Sequence, residues 1–287
     1  MKHYLIFVHG IGTGTADDSY NQLSTRIARS YCTLHNLKVE EFNQQFQSVY
    51  VEWGNVTYEA KKDIYQAAFP ELSLNAPGPL DIFNLARPLR FFVTFFLGDV
   101  TAYTDEDDDN IRSSFWEQIQ PAVCDQPFTL IAHSLGSVIA FDFLFNIFEK
   151  DGNDFFPAAA AQEKVDAYHN SAGVVRSNFR NFCTFGSPIG LFMMRKSTLW
   201  KKPPRFQGLI NPVRDGGSDQ IQPRWLNFYD KQDVLAYPLT ALFAKNGNNS
   251  TRALVDIQVQ TGDFFLDSHI GYWHNDTVAE KIAAILP

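Results

Sequence analysis

The sequence predicts an α/β fold built on about six mainly parallel strands flanked by helices. Three observations predict it. Short apolar runs rich in branched and aromatic residues recur along the chain, as buried strands require. Each run is separated from the next by enough residues for a helix, and repeated strand and helix favours a parallel sheet. Several of the intervening segments carry apolar residues at helical spacing.

The first run, Tyr4 to Val8, is apolar throughout and stops at His9-Gly10-Ile11-Gly12, the pattern of a fully buried strand ending in a glycine loop. Asp17 to Tyr31 follows as a helix, with Leu23, Ile27 and Tyr31 at fourfold spacing. Ser48 to Trp53 is the next strand. Asn55 to Asp109 departs from the alternation and reads as an insertion over one face, a cap. Its acidic run, Asp105 to Asp109, precedes a helix from Ile111 to Ile119, where carboxylates suit the free amides and the positive dipole end. Phe128 to Ala132 is a third strand, and Leu135 to Phe148 a helix apolar nearly all round apart from Asp142, which demands deep burial. Strands at Asn181 to Phe185, Trp225 to Tyr229 and Val255 to Gln260 complete the set. Met193 to Arg224, with its prolines and Gly216-Gly217, reads as a second insertion. Asp276 to Leu286 closes the chain as a helix with Val278, Ile282 and Ile285 on one face. No Gly/Ser/Pro linker divides the 287 residues, so one domain spanning 1–287 is expected, with 55–109 as the cap within it.

Composition excludes several functions. A formal charge of −8 argues against nucleic acid, whose recognition rests on clustered Lys and Arg. Cys32, Cys124 and Cys183 are odd in number and widely spaced, which suits free thiols in a reducing compartment. The N-terminal residues lead straight into a strand without a signal-peptide pattern, so a cytoplasmic location is expected. The most apolar stretch, Phe91 to Leu97, falls far short of the roughly 20 residues that cross a bilayer, so no transmembrane segment is expected.

The chemistry centres on Ser134. In Phe128-Thr-Leu-Ile-Ala-His-Ser134-Leu-Gly-Ser-Val-Ile-Ala140 a buried strand leads to a serine in a small-residue turn and then to a buried helix, the context of a nucleophile elbow. The residues two before and two after such a serine nearly touch and must be small, as Ala132 and Gly136 are. A serine hydroxyl needs a base to take its proton and an acid to orient that base. Asp230 and Asp233 both lie just beyond a strand, and Asp233 is the acid of choice. His269, between the last strand and the last helix, is placed to act as the base, with His274 the alternative. Backbone amides supply the oxyanion donors: Leu135, at the start of a helix, and Ile11 in the first glycine loop. His9 is expected to pack under that loop, while His133 and Cys183 read as structural. Arg87 and Arg90, flanking Phe91-Phe92, could dock an amphiphilic ligand but suit the solvated ends of a buried lid helix better.

Phe7-Val-His-Gly-Ile-Gly12, Ala132-His-Ser-Leu-Gly136, Phe185-Gly-Ser-Pro188, Asp233-Val-Leu-Ala-Tyr-Pro238 and His269-Ile-Gly-Tyr-Trp273 resemble the α/β-hydrolase superfamily, particularly its lipase-like serine esterases. In that family the histidine-glycine loop follows the third strand. Here it begins at His9, so the resemblance implies a six-stranded parallel core without the usual first two strands. The family's acid precedes a Val-x-x-x-Pro stretch like that after Asp233, and Tyr272-Trp273 following a histidine fits the lipase-like pattern for His269. Ala132 stands where the elbow more often has glycine. The resemblance implies cleavage of a small-molecule ester or lipid-like substrate through an acyl-serine, with no metal and no organic cofactor. A non-catalytic binding protein and an acyltransferase are the alternatives on the same fold.

Overall fold

The computed structural model describes residues 2–10, 16–68, 86–105, 109–148, 155–193, 225–243 and 254–287, without side chains for 16–18 and 86–92. In chain order the elements are β1 (His3–Val8), α1 (Ala16–His35), α2 (Val39–Gln45), β2 (Phe46–Val51), α3 (Asn55–Ala68), α4 (Ala86–Thr104), α5 (Asn110–Asp125), β3 (Phe128–His133), α6 (Ser134–Phe148), α7 (Gln162–Asn178), β4 (Phe179–Phe185), α8 (Ile189–Phe192), β5 (Trp225–Tyr229), α9 (Thr240–Phe243), β6 (Leu254–Gln258), α10 (Phe265–Gly271), a 3₁₀ turn (Tyr272–His274) and α11 (Asp276–Ala283).

The six strands form one sheet in the order β2-β1-β3-β4-β5-β6, every neighbouring pair parallel. The α/β class and the six-stranded parallel core expected from the sequence are therefore present. Strand centres match the expectation and the ends move by a few residues. β2 begins at Phe46 and stops at Val51, which releases Trp53 from the ladder, and β4 begins at Phe179. The short α2 has only one buried residue, Phe42, too little for a periodic signal.

From β1 the chain steps outward to β2, then returns past β1 to β3 and continues in the other direction. Right-handed crossovers put the helices of oppositely directed steps on opposite faces. Leu5, Phe7, Ile131, Cys183, Phe185, Leu226 and Phe228 accordingly face α1, α2 and α11, while Ile6, Val8, Leu130, Ala132, Phe182 and Trp225 face α5, α6 and α7. Because both faces are covered, the strands need continuous apolar runs rather than alternation, and α6, inserted against the sheet centre, buries Leu135, Val138, Ile139, Phe143 and Leu144 completely. The change of direction between β1 and β3 is a topological switch point, where the carboxyl ends of adjacent strands part and leave a crevice.

Within 55–109, α3 and α4 pack on each other and on α5, with Tyr65 and Phe95 buried between them. Lys61 and Asp99 form a buried ion pair in this layer, joined by a bond from the Thr57 hydroxyl to Asp99 at 2.6 Å. Burial pulls the Lys61 ammonium down, and Asp99 offsets part of that. At the start of α5, Asp109 occupies the N-cap position without capping an amide. Its carboxylate instead accepts the Ser113 hydroxyl at 2.5 Å and faces the Lys164 ammonium at 3.6 Å. Glu106 to Asp108, the insertion from 194 to 224 and the side chains of Arg87, Arg90, Phe91 and Phe92 lie outside the described residues. Among the described residues, no helix is long and apolar enough to cross a membrane.

Candidate active site

β3 ends at His133 and α6 begins at Ser134 with no intervening loop, so the chain must reverse within one residue. Ser134 absorbs the turn at φ +52°, the left-handed region that costs a non-glycine residue of order 1–3 kcal/mol. The surroundings enforce it. Gly136 lies against the His9 carbonyl, and a methyl group there would collide with it. Gly10 lies over the serine itself, since a Cβ at Gly10 would sit 2.5 Å from Ser134 Cβ and 3.1 Å from its Oγ. The loop after β1 and the turn after β3 thus meet at the switch point.

Ser134 Oγ lies 2.9 Å from His269 Nε2. On the other side of the ring, Nδ1 lies 3.0 Å and 2.9 Å from Asp233 Oδ1 and Oδ2. A carboxylate can only accept, so Nδ1 carries the proton and Nε2 presents its lone pair to the serine hydroxyl. Relative exposures of 0 % for Ser134, 2 % for Asp233 and 3 % for His269 place the array out of bulk water, where each of these bonds is stronger. Asp233 also accepts the Leu235 amide at 3.0 Å on Oδ1 and the Tyr272 hydroxyl at 3.0 Å on Oδ2.

The second aspartate is turned elsewhere. Asp230 Oδ1 accepts the Gln232 amide at 2.8 Å, and Oδ2 accepts the amide and hydroxyl of Thr261 at 2.5 and 2.9 Å. Burial pushes the Asp230 carboxyl up, but these bonds and one from the Gly262 amide outweigh it and hold its pKa below the ordinary aspartate value. Asp230 therefore fastens the β5 turn to the segment after β6, while Asp233 faces His269. His274, the alternative histidine, sits in the 3₁₀ turn beyond, its pKa lowered by burial and by Arg26.

Two further histidines frame the site. His133, buried, stacks on Phe185 and donates through Nε2 to the His269 carbonyl at 2.6 Å. Burial, then the neighbouring His269, hold its pKa well below the usual histidine value, so it is neutral with its one proton on Nε2. His9 stacks on Trp53, with ring centroids 5.2 Å apart, and donates through Nδ1 to the Gly10 carbonyl at 2.7 Å. Burial pulls its pKa down to about 4. Trp53 Nε1 in turn donates to the His9 carbonyl at 2.9 Å. Trp53 thus holds the His9 carbonyl just after β1, although in the sequence it stands merely at a strand end. Tyr272 likewise stands in the sequence only as part of a pattern, yet its hydroxyl reaches Asp233. Cys183 is buried in β4, with its thiol pKa raised by burial alone, as a core residue would be.

The Leu135 amide belongs to the first turn of α6, whose N–H groups have no acceptor within the helix, beside Ser134. Ile11 lies outside the described residues. Compared by sequence, the chain matches no protein-family model and no curated protein. The assignment rests on architecture and geometry, and both match an α/β-hydrolase serine enzyme.

Proposed function

We propose that the protein hydrolyses carboxylic esters through an acyl-Ser134 intermediate, with lipid-like or other apolar acyl esters as the substrate class. The observation that carries this reading is the unbroken relay from Asp233 through His269 to the Ser134 hydroxyl. In it, Ser134 Oγ attacks the ester carbonyl while His269 Nε2 takes the hydroxyl proton. The carbonyl oxygen becomes an oxyanion facing the Leu135 amide, with Ile11 as the second donor. Asp233 stabilises the imidazolium without itself taking the proton. The proton then passes to the departing alcohol. Water, deprotonated by the same nitrogen, attacks the acyl-serine, and collapse releases the acid and regenerates Ser134.

An apolar substrate is favoured by exposed apolar residues adjacent in sequence to the acid and base. Val234 and Ile270, each next to a relay residue, and Phe264 at the start of α10 are 62, 52 and 69 % exposed. Residues 55–109 act as a cap in this reading. Ile64, Val93 and Leu97 leave apolar surface on the outside of its two helices.

Labelling with a fluorophosphonate probe, followed by an acyl-chain-length series of activated esters, tests the proposal. The wild-type protein labels once, Ser134→Ala does not, and turnover rises with acyl length. Persistent labelling of Ser134→Ala, or a folded wild-type protein that neither labels nor turns over any ester, overturns it.

A further inference from the structure

Tyr272 is completely buried, its ring packed beside the stacked pair of Phe185 and His133 at centroid distances of 5.8 and 6.2 Å. Its hydroxyl oxygen accepts the Asp230 amide at 2.8 Å. Among the described residues, that bond leaves the phenolic proton Asp233 Oδ2, at 3.0 Å, as its acceptor. The carboxylate that orients His269 is therefore held by two outside donors, the Leu235 amide on one oxygen and the Tyr272 phenol on the other. Burial, then Asp233, raise the phenol pKa, so Tyr272 keeps its proton and acts as a donor across the working pH range.

We infer that Tyr272 is a positioning residue for the acid of the relay, one that turns Asp233 toward His269 and weakens the hold of that carboxylate on the His269 proton. A carboxylate shared among more donors is a weaker acceptor for each of them. Each donor that shares Asp233 lowers the stabilisation that this carboxylate gives an imidazolium beside it. The inference rests on the roles proposed above for Asp233 and His269.

Among the described residues, other titratable groups near His269 come from several elements. Asp230 lies behind Tyr272 on the β5 turn, and Asp267 precedes His269 on α10. His133 from the end of β3 touches the ring at a centroid distance of 4.7 Å, with His9 of the β1 loop beyond it. Burial holds both of these histidines well below the ordinary value, so both stay neutral. They contribute no change of charge over the range in which an ordinary histidine titrates.

The test is an NMR titration of the His269 imidazole, read without reference to activity, beside the pH dependence of fluorophosphonate labelling. Tyr272→Phe raises the His269 titration by roughly one pH unit, the size of one lost hydrogen bond, and the acid limb of the labelling rate moves up with it. Replacing Tyr272 by 3-fluorotyrosine, a stronger donor, moves both downward. That second protein decides the matter should Tyr272→Phe not fold. Tyr168→Phe removes a buried phenol that bonds the Phe143 carbonyl instead, and leaves the titration in place. An unmoved His269 titration in the folded Tyr272 variants overturns the inference. A titration that moves in a protein whose Ser134 never labels upholds the positioning role and overturns the acyl-enzyme reading instead.

Discussion

His133 donates through Nε2 to the backbone carbonyl of His269 at 2.6 Å, so the strand that ends in the Ser134 turn is bonded directly to the helix that carries the histidine facing it. Residues 136 positions apart are held by a bond that belongs to neither relay contact. The registration of Ser134 against His269 therefore depends on a side chain that takes no part in proton transfer.

Replacing His133 by Phe keeps the aromatic packing on Phe185 and deletes that bond. Labelling of Ser134 should slow by about 10- to 100-fold, because a small displacement of a reacting pair is costly in rate. The unfolding midpoint should fall by only a few degrees, the equivalent of about 1 kcal/mol. Comparing the labelling rate constant with the thermal midpoint checks both.

The two aspartates of the β5 turn should separate cleanly. Asp233→Asn removes the charge that selects the tautomer of His269 and should lower turnover by about 10⁴-fold with little loss of stability. Asp230→Asn loses its charge-assisted bonds to Gln232 and Thr261 and should cost about 1–3 kcal/mol, with turnover within about tenfold of wild type. Urea unfolding and ester turnover, measured on both variants, distinguish them.

At Gly10 and Gly136 a methyl group meets the partner loop. Gly10→Ala brings its Cβ to 2.5 Å from Ser134 Cβ and should reduce labelling by at least about 10²-fold. Gly136→Ala presses on the backbone carbonyl of His9, which cannot rotate away because Trp53 also holds it, and should destabilise the fold by about 1–3 kcal/mol. Labelling and thermal unfolding of the two variants report these losses.

Burial lowers His3 and His9 to pKa values of about 4 in the folded protein, against the ordinary 6.5 of the unfolded chain. The unfolded state thus binds more protons between these limits. Their contribution to stability is fully present above pH 6.5 and is lost as the pH falls from 6.5 toward 4. With His133, whose pKa burial also holds well below the ordinary value, these groups should give a slope of up to about three protons in this window, with His3 and His9 each worth on the order of 3 kcal/mol. Denaturant unfolding from about pH 7.5 to about pH 4 measures the slope, and His3→Gln should remove about a third of it.

The order of strands and helices and the residue types of the relay are legible in the sequence. Continuous apolar runs such as Phe128 to Ala132 can be satisfied only by burial on both faces, and the small residues around Ser134 follow from the tightness of its turn. Those constraints act over a few residues and leave a local pattern. Which aspartate faces the histidine depends on the folded backbone, because Asp230 and Asp233 share one turn and differ by the direction it gives their carboxylates. It alone brought Trp53 onto the His9 carbonyl, His133 onto the His269 carbonyl and Tyr272 onto Asp233. Each of these bonds joins segments 39 to 136 residues apart or ties the end of β2 to the loop after β1. Their partners are backbone carbonyls and a carboxylate that any sequence could offer, so nothing local marks them until the sheet sets β1, β2 and β3 side by side.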